Sequence, residues 1–532
     1  MKQTPPTRSK ARGAKPPAGT PGGPLNSAPA RVLALPAGCA LALLLFGFLV
    51  PQRPALFWTF VGAAGGLLVW SAAVYASARR QRRSLTMGIS LRRQHWVQAC
   101  AQAAVLLYWG WYVHFVYAFL PLIVAQLVFA YGVDCLLTWS RRDRYALGFG
   151  PFPVILSINL FLWFRPEWFY WQFAMILVGF AAKEFIRWNR DGRSAHIFNP
   201  SSFPLAVASI LLILAGVSDI TLGTAIATTQ FYPPHMYLVI FLVALPGQLL
   251  FGVARMTMSA VVTLYLISLI HLQATGTYLF FDSHIPLPVF LGMHLLFTDP
   301  STAPKSVAGR VIFGALYAIG TATFFVLLTG MGVPNFYDKL LPVPLMNLMV
   351  RAVDRFAAER TPASAPDGTP QQPGTPWRMH AVATSIWVVV FLALSAVRGI
   401  GDRPRGQALP FWQQACRAGS ARACEYTEAM TLIYCNNGSG WACNEWGLIQ
   451  VRANRSPGNA FARACEQGFT PTCEYLRRPP PSGPPPQGKP PLVGDLPIVL
   501  RGTKPPLLER DPARLFAIAC DQGWPGTCAP AS

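Results

Sequence analysis

Charge is what this chain has least of. Of 532 residues only 12% are Asp, Glu, Lys or Arg, and the acidic ones number 22 against 44 basic. A chain of this length so poor in ionised side chains does not read as an ordinary water-soluble globule. Also missing are a Gly-rich phosphate loop, an iron–sulfur cysteine run, a C-x-x-C-H haem motif and any triad-like constellation. Soluble NADH oxidation within the chain is therefore not expected. Histidines number eight, and no two of His114, His235, His271 and His284 stand four residues apart, so no metal site is predicted.

What is abundant is hydrocarbon. Hydrophobic residues make up 52% of the chain, gathered into blocks of roughly the 17 to 25 residues that span a bilayer as helix. Thirteen such segments are predicted: 31–50, 55–77, 96–113, 115–138, 148–164, 168–186, 202–217, 236–253, 256–270, 285–298, 309–330, 337–350 and 380–397. The third and fourth nearly fuse at His114, and Pro342 and Pro344 break the twelfth. A basic, Pro-rich tail, 1–30, precedes the first segment and is expected to be disordered and cytoplasmic. Another span follows that segment directly, so it reads as a transmembrane helix rather than a cleaved signal.

Charge then orients the segments. With an inside start, Arg79, Arg80, Arg82, Arg83, Arg92, Arg93, Arg141, Arg142 and Arg144 all fall on the cytoplasmic side, while the far side carries only Arg53, Arg165 and Lys339. Basic loops stay inside. The net charge of +22 thus reflects topology and anionic headgroups rather than nucleic-acid binding. A Pro-rich cytoplasmic linker covers 351–379, and the last span, 380–397, leaves 398–532 outside the cytoplasm.

That final region repeats one phrase, Cys-x-x-Gly-x-x-x-x-Cys, four times: Cys416 to Cys424, Cys435 to Cys443, Cys465 to Cys473 and Cys520 to Cys528. Four pairs at one spacing read as four local disulfides, which persist only in an oxidising compartment. Each phrase fits a helix–turn–helix in which Gly419, Gly438, Gly468 or Gly523 takes a left-handed turn. Cys39, Cys100 and Cys135 lie in apolar segments and are expected to pack as small hydrophobes. Residues 409–475 and 508–530, with a Pro-rich stretch at 477–506 between them, resemble the secreted cysteine-rich branch of Sel-1-type repeat proteins. The resemblance implies an interaction surface made of stacked helix pairs. First cysteines here are 19, 30 and 55 residues apart, so the regular period of that family is not kept.

Two phrases inside the membrane domain stand out, Phe198-Asn199-Pro200-Ser201-Ser202 and Thr298-Asp299-Pro300-Ser301-Thr302-Ala303-Pro304. Each is preceded by a histidine, His196 or His294, and each reads as a helix cap followed by proline at the first helical position. Helix starts at membrane depth make anion sites, and a matching pair suggests an internal repeat with a site between its halves. Charged residues at the inner end of the sixth segment, Lys183, Glu184 and Arg187, fall near the same depth, with Asp134 in the fourth. Lys183, Glu184, Arg187, His196, Asn199, His294 and Asp299 are therefore candidates for a flavin-phosphate or proton-transfer site. The competing reading is a network that merely glues helices together.

The run from His196 to about Asp354 resembles the D subunit of the Rnf electron-transport complex and the B subunit of the sodium-pumping NADH:quinone oxidoreductase. The resemblance rests on the two phrases above, on Gly309-Arg310 and Phe313-Gly314-Ala315 after the second, and on Leu345-Met346-Asn347-Leu348 with Asp354. It implies a flavin- or quinone-linked electron-transfer protein with FMN or riboflavin as cofactor. It adds Thr298 to the candidates, and Thr224 as the counterpart of a threonine that carries FMN by a phosphoester. Here Thr221-Leu222-Gly223-Thr224 stands where the family has S-G-A-T.

The fold class expected is all-α: a polytopic membrane bundle over 31–350, with its family-like core at 180–354, followed by a disulfide-rich helical region. The expected location is the cell (inner) membrane, N-terminus inside and C-terminus outside. Expected partners are the bilayer, other membrane redox subunits and proteins docking on the cysteine-rich region. A small-ion or solute transporter, and a membrane-anchored scaffold, remain the alternative functions.

Overall fold

Proline marks where several helices of this chain begin, because in the first turn it has no hydrogen bond to lose and its φ is already helical. The computed structural model describes residues 33–49, 53–190, 193–230, 233, 235–275, 279–280, 284–360, 377–397, 416, 419, 421–436 and 440–477. The basic tail, most of the Pro-rich linker, the stretch from 478 onward and the fourth cysteine phrase, Cys520 to Cys528, lie outside the described residues.

The described residues are mostly helical. The first half contributes α1 (Ala34–Leu49), α2 (Pro54–Arg80), α3 (Arg93–Tyr112), α4 (His114–Arg141), α5 (Pro151–Asn159), α6 (Tyr170–Phe185) and α7 (Ser202–Ala215). The second contributes α8 (Gly223–Thr229), α9 (Met236–Phe251), α10 (Ala254–Thr275), α11 (Leu287–Leu295), α12 (Val307–Gly330), α13 (Pro342–Arg360) and α14 (Trp377–Val397). Five of them, α2, α4, α10, α12 and α14, are long and apolar enough to cross a membrane, and α1, α7 and α9 are shorter apolar helices. One continuous cluster of buried side chains runs from Cys39 in α1 to Phe391 in α14. Cys39 and Cys135 are buried as expected, whereas Cys100 is exposed.

Two predicted spans are not single long helices. The runs 148–164 and 285–298 hold only α5 and α11, nine residues each, or about 13 Å of helix against a hydrocarbon core of about 30 Å. Nearly every residue of both is buried, so their apolar character serves protein packing rather than lipid contact. After α5 the chain runs on without helix through Leu160 to Phe164, all buried. Its peptide groups are met by side chains: Gln230 donates to the Leu160 carbonyl at 2.6 Å, Gln172 donates to that of Leu162 at 3.4 Å, and Gln172 accepts from the Phe164 N–H at 3.1 Å. Irregular backbone at such depth survives only when its polar groups are satisfied by protein. Gln126 and Asn159 complete the network with paired amide bonds of 3.1 and 2.8 Å.

The twelfth segment also differs. Pro342 and Pro344 lie in the first turn of α13, which they start rather than break. Lys339, expected in a loop on the far side, is buried at 4% exposure and paired with Asp338 at 3.1 Å. An interior ammonium needs such a partner, and the Tyr317 hydroxyl bonds the Lys339 carbonyl at 3.1 Å.

The all-α expectation also missed two small sheets. β1 (Thr86–Ile89) and β2 (Arg144–Leu147) pair in parallel, and β3 (Arg187–Arg190) and β4 (Arg193–His196) pair antiparallel. Four-residue strands are too short to register as a period-2 pattern. They occupy the basic loops, where Arg83 bonds Asp143 at 2.6 Å.

In the cysteine-rich region, α15 (Ala421–Asn436), α16 (Gly440–Arg452), α17 (Ala460–Glu466) and α18 (Thr470–Arg477) are stapled by three disulfides, Cys416–Cys424, Cys435–Cys443 and Cys465–Cys473. Gly419 and Gly468 have φ of 101° and 84°, the left-handed turn the spacing predicts. In α15, α16 and α18 the second cysteine of its pair is the fourth residue of the helix.

Candidate functional site

The start of α3, the ends of α4 and α6, the start of α5 and the two Asx-Pro phrases line a cavity of about 370 Å³. From α3 come Gln98 and Gln102, with Arg92, Gln94 and His95 at its start. Asp134, Thr138 and Arg142 come from α4 and its end, and Lys183, Glu184 and Arg187 from the end of α6. His196, Asn199, Ser201, Asp299 and Ser301 close the opposite wall, and Gly150 and Pro151 bring the start of α5 into it.

Side-chain pairing organises this wall. Lys183 bonds Asp134 at 3.2 Å, a contact between two helices that neither residue could make on its own helix. Glu184 bonds Arg142, with Arg141 and Arg187 each at 3.9 Å. His196 lies 3.0 Å from the Ser301 hydroxyl and 3.9 Å from Asp299. Burial pushes the Asp299 carboxyl up, but the His196 imidazole and two hydrogen bonds from Ser301 outweigh it and hold the group below the ordinary carboxylate value. Asn199, 4% exposed, accepts from the Ser201 N–H and hydroxyl at 2.9 and 2.7 Å and donates to the Leu296 carbonyl at 2.9 Å.

Five cations, Arg92, Arg142, Arg144, Lys183 and Arg187, thus face three carboxylates, Asp134, Glu184 and Asp299. Among the described residues Arg92 and Arg144 have no carboxylate within 4 Å. The cavity keeps a surplus of positive charge, reinforced by the positive dipole end of α5. Such a lining suits an anion, above all a phosphate group that two guanidinium forks can grip.

Of the residues singled out from sequence, Lys183, Glu184, Arg187, His196, Asn199 and Asp299 meet in this cavity. His294 and Thr298 lie behind it, lining a separate small chamber. Thr224 is on α8 and contributes nothing to either space. Neither Asx-Pro phrase places its proline at the first helical position. α7 starts at Ser202, and after Asp299 no helix begins until Val307, capped by the Ser306 hydroxyl bonding the Gly309 N–H at 3.0 Å. Sequence reasoning missed the α3 wall, although Gln94, Gln98 and Gln102 recur every four residues and so share one helix face. Among the described residues no group of three or more His, Cys, Asp or Glu is placed to hold a metal.

No protein-family model, curated protein or solved structure matches this chain.

Proposed function

We propose that this chain is a multi-pass cell-membrane protein of electron transfer, of the kind to which the Rnf D and sodium-pump B subunits belong, and that its cationic cavity seats the phosphate end of FMN. The observation that carries the reading is the convergence of five cations and the start of α5 on one cavity. Riboflavin and quinones lack the phosphate that such a lining rewards. In the bound state Arg92 and Arg144 hold the phosphate, and Asn199 and the His196–Asp299 pair keep the opposite wall fixed. The flavin supplies the one- and two-electron chemistry that protein side chains lack. Covalent attachment at Thr224 is not part of this proposal, because that residue lies away from the cavity.

The same reading sets thirteen membrane segments with the N-terminus inside and the stapled helices outside. The three disulfides support that orientation. Modification of an engineered cysteine at residue 20, but not at residue 500, by an impermeant thiol probe in intact cells would reverse it.

Visible absorption and mass spectrometry of the purified protein test the cofactor. Bound FMN is expected, and Arg92→Gln with Arg144→Gln should weaken the affinity for added FMN at least tenfold, the effect of removing about 1.4 kcal/mol. Purified protein without flavin, which also fails to bind added FMN, overturns the proposal. A second reading, anion transport, is favoured by the two buried nine-residue helices, a feature of transporters with broken helices. Phosphate flux into proteoliposomes without bound flavin would select it.

A further inference from the structure

Behind the cavity wall, α3, α9 and α11 leave a chamber of about 20 Å³, room for one water molecule. Gln98 and Leu295 line both spaces, so the chamber adjoins the inner cavity. Two of its lining residues carry buried polar atoms with no hydrogen-bond partner, Nε2 of His294 and Oε1 of Gln248. His294 is 2% exposed and Gln248 1%, so bulk solvent does not reach them.

The chemistry of these atoms limits the guest. Nδ1 of His294 lies 2.7 Å from the Phe290 carbonyl, which can only accept, so Nδ1 carries the proton and Nε2 of the neutral ring is an acceptor. The Gln248 amide nitrogen points to Thr257 at 3.4 Å, leaving its oxygen as the second acceptor. Thr298 adds a hydroxyl already committed as donor to the His294 carbonyl at 2.7 Å. The lining is otherwise apolar apart from Gln98 and holds no carboxylate, so a bare cation has nothing to neutralise it.

We propose that one water molecule occupies this chamber and donates to both His294 Nε2 and Gln248 Oε1. The inference goes beyond the flavin reading and stands without it. Both orphaned acceptors then have donors, and the ring is held by the Phe290 carbonyl on one side and by the water on the other. Aromatic rings of Phe241, Phe290 and Trp387 pack near the imidazole, with centroids 6.3, 4.1 and 5.9 Å away.

Gly247 offers a test by sign. A Cβ there would meet Phe251 and Val97, both chamber residues, at 3.6 to 3.8 Å, ordinary contact distances. Gly247 itself lines the chamber, so Gly247→Ala narrows a space with room for one water without a clash, and the added methyl is expected to compete with the occupant. Filling a dry void and replacing a helical glycine both stabilise, whereas expelling a needed water strands two acceptors. The comparison is Gly65→Ala in α2, where a Cβ meets nothing within 4 Å. With the full chain in nanodiscs, Gly65→Ala should hold or raise Tm and Gly247→Ala should lower it by several degrees. A high-resolution structure should show one density peak within hydrogen-bonding distance of both acceptors, lost in Gly247→Ala. A rise in Tm for Gly247→Ala, or an empty chamber, overturns the proposal. So does a Gly247-dependent stabilisation that titrates with sodium or ammonium concentration, which would make the guest a cation.

Discussion

Asn199 and Asp299 each accept a hydrogen bond from the N–H and another from the hydroxyl of the serine two residues on, Ser201 and Ser301. They part company in what else they hold. The Asn199 amide reaches across to the Leu296 carbonyl, its own N–H is taken by Asn347 at 3.0 Å, and α7 starts three residues later. Asp299 has a second oxygen facing His196, and the helix after it waits for Ser306, itself held by Asp354 through bonds of 3.3 and 3.1 Å. An amide can satisfy donors and acceptors together in a dry joint, whereas a carboxylate must be given cations or donors. Both phrases line the cavity, but the first also forms a structural joint, while the second supplies the charge of the wall.

The joint depends on close backbone approach. A Cβ at Gly179 in α6 would lie 2.6 Å from the Pro200 carbonyl and 2.9 Å from Pro204, so Gly179→Ala forces α6 and α7 apart. Destabilisation of about 3 kcal/mol is expected, read as a large fall in Tm or loss of monodisperse protein. The counterpart in the second phrase, Gly309, would place its Cβ 2.5 Å from the Ser306 hydroxyl and 3.0 Å from a carboxylate oxygen of Asp354. The hydroxyl and carboxylate are flexible side-chain ends, but Pro304 Cβ, also at 3.0 Å, belongs to a rigid ring. Gly309→Ala should therefore cost about 1 to 2 kcal/mol through the lost cap and that contact. Equal losses in the two variants would break the distinction between joint and wall.

Asn199→Ala falls between those two in size. It strands the Leu296 carbonyl and the Ser201 and Ser202 N–H groups in a place with almost no solvent, at about 2 to 3 kcal/mol. Asn199→Asp restores the acceptor but not the donor, and adds a charge, so it should recover little. Thermal unfolding of the two variants side by side separates hydrogen bonding from simple capping.

Much of this was legible in the residues, and the boundary of legibility has a physical cause. Apolar runs of full length gave α2, α4, α10, α12 and α14, because a helix long and apolar enough to cross a bilayer must be apolar along its length. The cysteine spacing gave three bridges, since eight residues with a central glycine suffice to close a turn. Six cavity residues were likewise visible as charges or Asx-Pro phrases at helix ends. The half-length α5 and α11 were hidden, because a buried half-helix followed by buried extended chain is as apolar as a full span. Only Gln126, Asn159, Gln172 and Gln230, scattered over four segments, betray it. The burial of Lys339 was hidden for a related reason: a charge beside its own partner, Asp338, looks identical whether the pair is exposed or buried. Arg92 and Arg144 gained meaning only when β1 and β2 paired and brought their loops together.

Acid sharpens the comparison at its smallest scale. The Asp299 carboxyl sits below its ordinary value although burial alone would raise it, because His196 and Ser301 favour the charged form. A depressed carboxylate stabilises the fold above its unfolded value, near 3.9, and that contribution disappears as pH falls through the lower folded value. Wild-type Tm should therefore decline across that acid window, and Asp299→Asn should flatten the decline while leaving Tm near neutrality lower. Asn199→Ala removes no titrating group, so its Tm profile should run parallel to wild type at a lower level. An Asp299→Asn profile that is also parallel would mean that the carboxylate does not feel His196, and that the two phrases differ in sequence alone.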